Sequence, residues 1–223
     1  MQPTFTLYHA PQSRSGAVRI LLEELGVPHD LQVLDLTRGD QRGADYRAVN
    51  PMGKVPALRH GDVVVTEQAA ILMYLADLYP ASALAPAPDD PLRGAYLRWM
   101  LFHGSAFEPA IVDRALGRDP APVSICPYGD CDTMLATLLA QLRTGPWLLG
   151  ARFTAADVLW GHALGWTSAF GLVPDAPEIR DYLARVEAWG SFQRVKAFDE
   201  ADSHPTSRPY PAADNTSNEI GNR

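Results

Sequence analysis

The chain has 223 residues and a mass of 24.3 kDa, with 47% hydrophobic and 20% charged residues. That mixture fills one large or two small domains and excludes disorder throughout. A formal net charge of −7 and a pI near 5.3 give no electrostatic footprint for nucleic acid or an anionic membrane. Two cysteines, Cys126 and Cys131, make neither a disulfide framework nor a finger-type zinc site, so no metal is expected. MQPTFTLYHA has no basic n-region or apolar h-region, and the apolar runs are far shorter than the ~20 residues of a membrane span. A soluble cytoplasmic protein is the expectation.

Thr4 to Tyr8 alternates with period two and predicts a strand. Residues 13–25 predict a helix with Ala17, Leu21 and Leu25 on one stripe, Val18 beside it and Gly26 as its stop. Asp30 to Leu36 reads as a second strand, and 37–53 as a loop with a short helix. Lys54 to Leu58 and Val63 to Val65, joined at His60-Gly61-Asp62, read as a hairpin. A helix follows from Glu67 to Tyr79. The order β-α-β then β-β-α predicts a mixed four-stranded sheet with helices packed on it, over residues 1–80. Residues 81–91, dense in proline and alanine, read as a linker. Every later periodic segment is helical: 92–116, 130–143, 154–171, 177–188 and 190–200. The second domain, 92–200, is therefore all-α, and 201–223 reads as a flexible tail.

Thr154 and Asp157 fit a capping box, with Phe153 and Val158 at the staple positions. The helix it opens is so apolar (Val158, Leu159, Trp160, Leu164, Trp166) that it is expected to be the buried centre of the second domain.

Three local patterns lie within the first half: Leu7-Tyr8-His9-Ala10-Pro11-Gln12-Ser13-Arg14-Ser15-Gly16, Asn50-Pro51-Met52-Gly53-Lys54-Val55-Pro56-Ala57-Leu58, and Thr66-Glu67-Gln68-Ala69-Ala70-Ile71. Taken in order with the box at 153–157, over residues 4 to about 198, they resemble the soluble bacterial type of the glutathione transferase superfamily. The resemblance implies a thioredoxin-like first domain, glutathione as co-substrate, and a homodimer. It implies a cis peptide before Pro56, a turn that presents the Val55 backbone to the cysteinyl part of glutathione like an added strand. Lys54 is then placed for a glutathione carboxylate and Glu67 for the γ-glutamyl ammonium. Residue 68 opens a helix whose free amides favour a carboxylate. The family usually has Ser or Thr there and this chain has Gln68, whose backbone amide and side-chain amide can both donate.

Conjugation needs a thiolate, and a free thiol has a pKa of about 8.5, so the site must hold a donor that favours the charged form. The candidates are Ser13, preferred, then Ser15 and Tyr8; a backbone donor also stays open. Counted back from Gly26, the activating serine of serine-type relatives falls near Gln12, one residue before Ser13. The first 125 residues hold no cysteine, so a mixed disulfide with glutathione cannot form at the first loop. The Ser-Ser-Cys-Ser signature of maleylacetoacetate isomerase-like members is also absent. Cys126 and Cys131 read as thiols in or beside the proline-containing loop of the helical domain. A small hydrophobic electrophile is expected between the halves, against Trp99, Phe102 and His103 on one helix and Trp166 on a later one. Arg98 is an alternative contact at a subunit interface. Two other readings share the scaffold: a glutathione-dependent peroxidase or ligand binder, and a non-catalytic interaction module. The family's ammonium acceptor, Glu67, argues against the last.

Overall fold

The structure, a computed structural model, describes residues 5–201. Four strands, β1 (Phe5–His9), β2 (His29–Val33), β3 (Ala57–His60) and β4 (Val63–Thr66), form one sheet in the order β2-β1-β3-β4. β1 runs parallel to β2 and antiparallel to β3, and β3 runs antiparallel to β4. This is the mixed sheet expected from a β-α-β crossover followed by a hairpin. Phe5, Leu7 and His9 of β1 are fully buried, while Thr6 and Tyr8 face the other side. Helix α1 (Ser15–Leu25) makes the crossover and ends at Gly26 in the left-handed conformation. Helix α2 (Ala44–Val49) is the short helix expected within the 37–53 loop, and α3 (Gln68–Leu78) follows the hairpin.

Strand boundaries differ from expectation for local reasons. β2 begins at His29 and stops at Val33. Past it, Asp35 accepts from the amides of Thr37 at 2.8 Å and Arg38 at 3.2 Å, so its side chain closes a turn. β3 begins at Ala57, paired with Thr66, because Pro56 brings no N–H to the ladder.

The segment 81–91 is pinned at several points. A 3-10 turn at Pro80–Ser82 opens it. Leu84 is buried and its carbonyl accepts from the Ala155 amide at 2.8 Å. Arg152 pairs with Asp90 at 2.8 Å, and Arg93 grips Asp77 with two bonds of 2.8 Å.

The second half holds α4 (Arg93–Phe102), α5 (Glu108–Ala115), α6 (Cys131–Leu142), α7 (Ala155–Ala169), α8 (Pro177–Glu187) and α9 (Gly190–Ala201). The single helix expected over 92–116 is two helices joined by a π turn, His103–Phe107. Pro109 has no N–H for the carbonyl four residues back and its ring crowds that carbonyl. The ladder widens accordingly, and the Glu108 amide donates to His103, five residues earlier.

α7 is the centre of the half, with ten of its fifteen residues buried. Its capping box is closed: Asp157 accepts from the Thr154 amide at 2.8 Å, and Thr154 Oγ1 accepts from the Ala156 amide at 3.3 Å. The other Asp157 oxygen accepts from the Leu148 amide at 2.7 Å and the Tyr182 hydroxyl at 3.0 Å. Trp160 lies at the middle of α7 and donates from Nε1 to Trp99 O at 3.0 Å. The tail read from residue 201 onward lies outside the described residues, except Ala201, which ends α9. Among the described residues no helix is long and apolar enough to cross a membrane, and no cluster of three His, Cys, Asp or Glu is placed to hold a metal.

Candidate active site

A cleft of about 470 Å3 opens where the end of β1 meets the segment before β3. Ser13 and Arg14 form one wall, Gly53, Lys54 and Val55 the other, with Gln41, Arg42 and Arg47 at the far side. Four cations thus line a cleft in an acidic protein, a field that draws a small anion.

Each wall is held by its own sequence. Ser13 precedes α1, and its carbonyl accepts from the Gly16 amide at 2.9 Å while its Oγ accepts from the Ser15 amide at 3.2 Å. The Ser13 hydroxyl also lies 2.8 Å from Ala10 O and 2.7 Å from Ser15 Oγ. On the opposite wall the Val55–Pro56 peptide is cis, as the resemblance implies. Two side chains fix the residue before it: Tyr46 donates to Lys54 O at 2.6 Å and Asn50 at 2.7 Å. Burial pushes the Tyr46 hydroxyl up to about 12, so it stays a donor. Gly53 has φ +60°, and a Cβ there would stand 2.8 Å from Gln41 O, so only glycine lets this wall close against the far side of the cleft.

The pairing of Ala57 with Thr66 brings the next two residues beside the Val55–Pro56 turn. Glu67 is exposed and holds φ +67° and ψ +116°, a strained conformation for a residue with a Cβ. Gln68 opens α3 and is buried, and its Nε2 has no hydrogen-bond partner among the described residues. A buried amide donor left open at a helix N-terminus fits a carboxylate.

A match to the glutathione S-transferase N-terminal domain model covers residues 14–78, and one to the C-terminal domain model covers 128–185. Human glutathione S-transferase theta-2B is 38% identical over 195 residues, 78% of this chain and 77% of that one. The chain belongs to the glutathione S-transferase family. Glutathione S-transferase Z2 of Arabidopsis thaliana is 46% identical over 70 residues, a match that spans 31% of each chain. A solved glutathione transferase homologue from Sulfitobacter, with glutathione bound, superposes with a TM-score of 0.72 at 29% identity, over 87% of this chain and 98% of that one.

The remaining site residues of this glutathione transferase fall into two groups. Ser15 is fully buried, and its oxygen lies within 3.1 Å of Ala10 N, Ala10 O, Ser13 and His9, so it stands behind Ser13 rather than in the cleft. Tyr8 lies on the α2 side of the sheet, its ring 5.5 Å from Tyr46 and its hydroxyl 3.4 Å from Arg59. Trp99 and His103 are core residues, 1% and 4% exposed, because both pack edge-on against Trp160. Burial pushes the His103 imidazole down to about 4, against the pull of Glu108. Phe102 is half-buried in the same cluster, 5.1 Å from Trp99, under the Arg98 guanidinium. Trp166 is partly buried and meets a residue of the cleft wall, with the Arg14 guanidinium 5.6 Å over its ring.

Sequence reasoning passed over Arg14, Arg42, Arg47, Tyr46 and Asn50. Arg14 is fixed by a two-pronged bond to Glu108, Nε to Oε1 at 2.9 Å and to Oε2 at 2.7 Å. Glu108 is brought there by the π turn, which no periodicity announces. The arginines of 37–53 were read only as part of a loop, because they had no partner in sequence to face.

Proposed function

We propose that the protein conjugates the thiolate of glutathione to small hydrophobic electrophiles, with Ser13 as the hydroxyl that donates to the sulfur. The observation that carries this is the position of Ser13: among the three candidate hydroxyls, it is the one that lines the cationic cleft opposite Val55. Glutathione then lies with its cysteinyl backbone along Val55 ahead of Pro56, one carboxylate toward Lys54 and the arginines, and the γ-glutamyl end on Glu67 and Gln68. Catalysis is stabilisation of the charged sulfur together with proximity, with no covalent enzyme intermediate. The electrophile enters beside Ser13, at the edge formed by Arg14 and Trp166. Trp99, Phe102 and His103 support that edge through the core instead of touching the substrate.

The active form is taken to be a homodimer. Exposed Leu78 of α3 and Leu101 of α4 give these helices apolar surface suited to a second copy, and light scattering tests it.

The deciding experiment is the thiolate absorbance of bound glutathione against pH, in the wild type and in Ser13→Ala. The wild type is expected to titrate at least one unit below free glutathione, and Ser13→Ala to lose most of that shift. An unchanged titration in Ser13→Ala removes Ser13 from the role. Failure to bind glutathione at all turns the reading toward an interaction module. Turnover of hydroperoxides ahead of aryl halides would make it a peroxidase on the same thiolate.

A further inference from the structure

Behind Ser13 a line of polar groups runs through the buried base of α1. Ser13 Oγ and Ser15 Oγ share a hydrogen bond of 2.7 Å, and Ser15 Oγ and His9 Nδ1 share one of 2.8 Å. His9 is fully buried at the end of β1, and its other nitrogen, Nε2, faces Asp199 of α9 at 3.4 Å, an ion-pair distance. Arg19 of α1 meets the same Asp199 oxygen at 3.0 Å. Thiol activation by a serine does not require a buried histidine and carboxylate behind it, so this line asks for its own account.

We propose that His9 takes up the thiol proton of glutathione through Ser13 and Ser15, and that Asp199 holds the imidazolium so formed. The inference rests on Ser13 being the donor to the sulfur.

The proton count closes. A carboxylate opposite Nε2 favours the tautomer with its proton on that nitrogen, which leaves Nδ1 as an acceptor. Ser15 then donates to His9, and Ser13 donates to Ser15. When glutathione arrives, its S–H bond breaks and the electron pair stays on sulfur. Ser13 Oγ receives that proton as its own passes to Ser15, and the Ser15 proton passes to His9 Nδ1. All three bonds now point outward: His9 to Ser15, Ser15 to Ser13, Ser13 to the thiolate. The oxygens stay in place, because the Ala10 amide donates to Ser15 Oγ at 3.0 Å and the Ser15 amide to Ser13 Oγ at 3.2 Å. Ala10 O lies within 3.1 Å of each hydroxyl and is the competing acceptor from which each proton must turn to join the relay.

The charges around His9 suit the task. Burial raises the Asp199 carboxyl, but His9, Arg19 and the Gln12 backbone amide together hold it below the ordinary carboxylate range, so it is charged when the imidazolium forms. His162 of α7 also faces this region, with Arg14 and His103 beyond it and Glu187, Lys196 and Glu200 along the adjoining cleft. Burial pushes His162 down to about 4, and it stays neutral near pH 7 and does not repel a charged His9. Asp199 also lines a second cleft of about 480 Å3 between α1, α7, α8 and α9, which gives the proton an exit away from the electrophile. His9 and Asp199 are positioning residues: neither touches glutathione, and they act through two serines.

The experiment compares wild type, Ser13→Ala, Ser15→Ala, His9→Gln and Asp199→Asn in the full chain. The readouts are the thiol pKa of bound glutathione and the affinity for S-methylglutathione, which has no thiol proton. Ser15→Ala, His9→Gln and Asp199→Asn are each expected to raise the bound-thiol pKa by about one unit, tenfold less thiolate on the acid side. The S-methylglutathione affinity is expected to change less than about twofold. If Ser13→Ala raises the pKa and the other three do not, the relay is overturned and Ser13 stands. An unchanged pKa in Ser13→Ala overturns the underlying reading. A fall in S-methylglutathione affinity as large as the rise in thiol pKa would make His9 and Asp199 merely structural. Should a variant fail to fold, nitrogen-15 NMR of wild-type His9 decides: glutathione, but not S-methylglutathione, must convert it to imidazolium at pH 7, and a neutral ring in both overturns the proposal.

Discussion

Glu67 is the residue at which backbone cost and ligand chemistry meet. Its positive φ with ψ +116° costs a residue with a Cβ on the order of 1–3 kcal/mol. The structure keeps it there with its carboxylate exposed beside the Val55–Pro56 turn. Glu67→Gly is therefore expected to raise Tm by about 2–4 °C, a gain of about 1 kcal/mol. On the proposed role of Glu67 as the ammonium acceptor, the same change should weaken S-methylglutathione at least about tenfold. Calorimetry of both quantities checks it, and a variant that loses stability while binding normally would remove the argument. Tyr46 is a second case, one that supports the cleft wall from behind. Its hydroxyl and Asn50 share the Lys54 carbonyl, and Tyr46→Phe removes one of two donors, worth about 1 kcal/mol. The expected result is a KM for glutathione raised about fivefold with kcat unchanged; a fall in kcat instead would place Tyr46 in the chemistry.

At the scale of elements, α7 shows how a local signal becomes a global joint. The Thr154–Asp157 box caps the helix, but Asp157 also takes the Leu148 amide from the preceding loop and the Tyr182 hydroxyl from α8. Asp157→Ala leaves two buried N–H groups and a hydroxyl without their acceptor. A loss of about 3 kcal/mol or more is expected, and a Tm about 6–12 °C lower by circular dichroism. A drop of only a degree or two would mean the box is a surface cap and no joint. The box was legible because its four residues are contiguous and its chemistry is local. The sheet and its crossover were legible for the same reason, since periodicity and turns sit within a few residues of each other. What sequence left hidden depends on distant partners. The break at His103–Phe107 needs Pro109 to be read against the carbonyl four residues back, and Glu108 gains meaning only when Arg14, 94 residues away, arrives beside it. The aromatic face of Trp99 and His103 reads alike whether it lines a cleft or a core, and Trp160 from α7 decides for the core. Of the residues that line the cleft, Lys54 and Val55 were legible because their motif is contiguous, whereas Arg42 and Arg47 stand in the irregular 37–53 segment with no local pattern to mark them.

For the whole molecule, the buried histidines set the response to acid. Desolvation depresses His103 and His162 to about 4 from an unfolded value near 6.5. The unfolded chain binds protons that these folded sites refuse, so their contribution is complete above pH 6.5 and is lost as pH falls toward 4. Asp157 acts in the opposite sense, since burial raises it to about 6 and its folded form gains protons first. Its contribution is complete near pH 4 and is lost as pH rises through 6. Two depressed histidines against one raised aspartate leave a net loss on the order of 3 kcal/mol between pH 6.5 and pH 4. His162 lies on the packing between halves, with Nε2 only 2.6 Å from where a Cβ on Gly16 would stand, and His103 packs behind it against Trp160 within the second half. Acid should therefore loosen the contact of α1 with α7 while the sheet persists. Urea midpoints should fall steadily from pH 6.5 to 4, and His103→Gln should flatten that slope. Protection of α7 amides from hydrogen exchange should be lost before that of β1 and β3. A midpoint that holds or rises on acidification would show that the histidines are hydrated in solution, and the coupling between the halves would then have to rest on apolar packing alone.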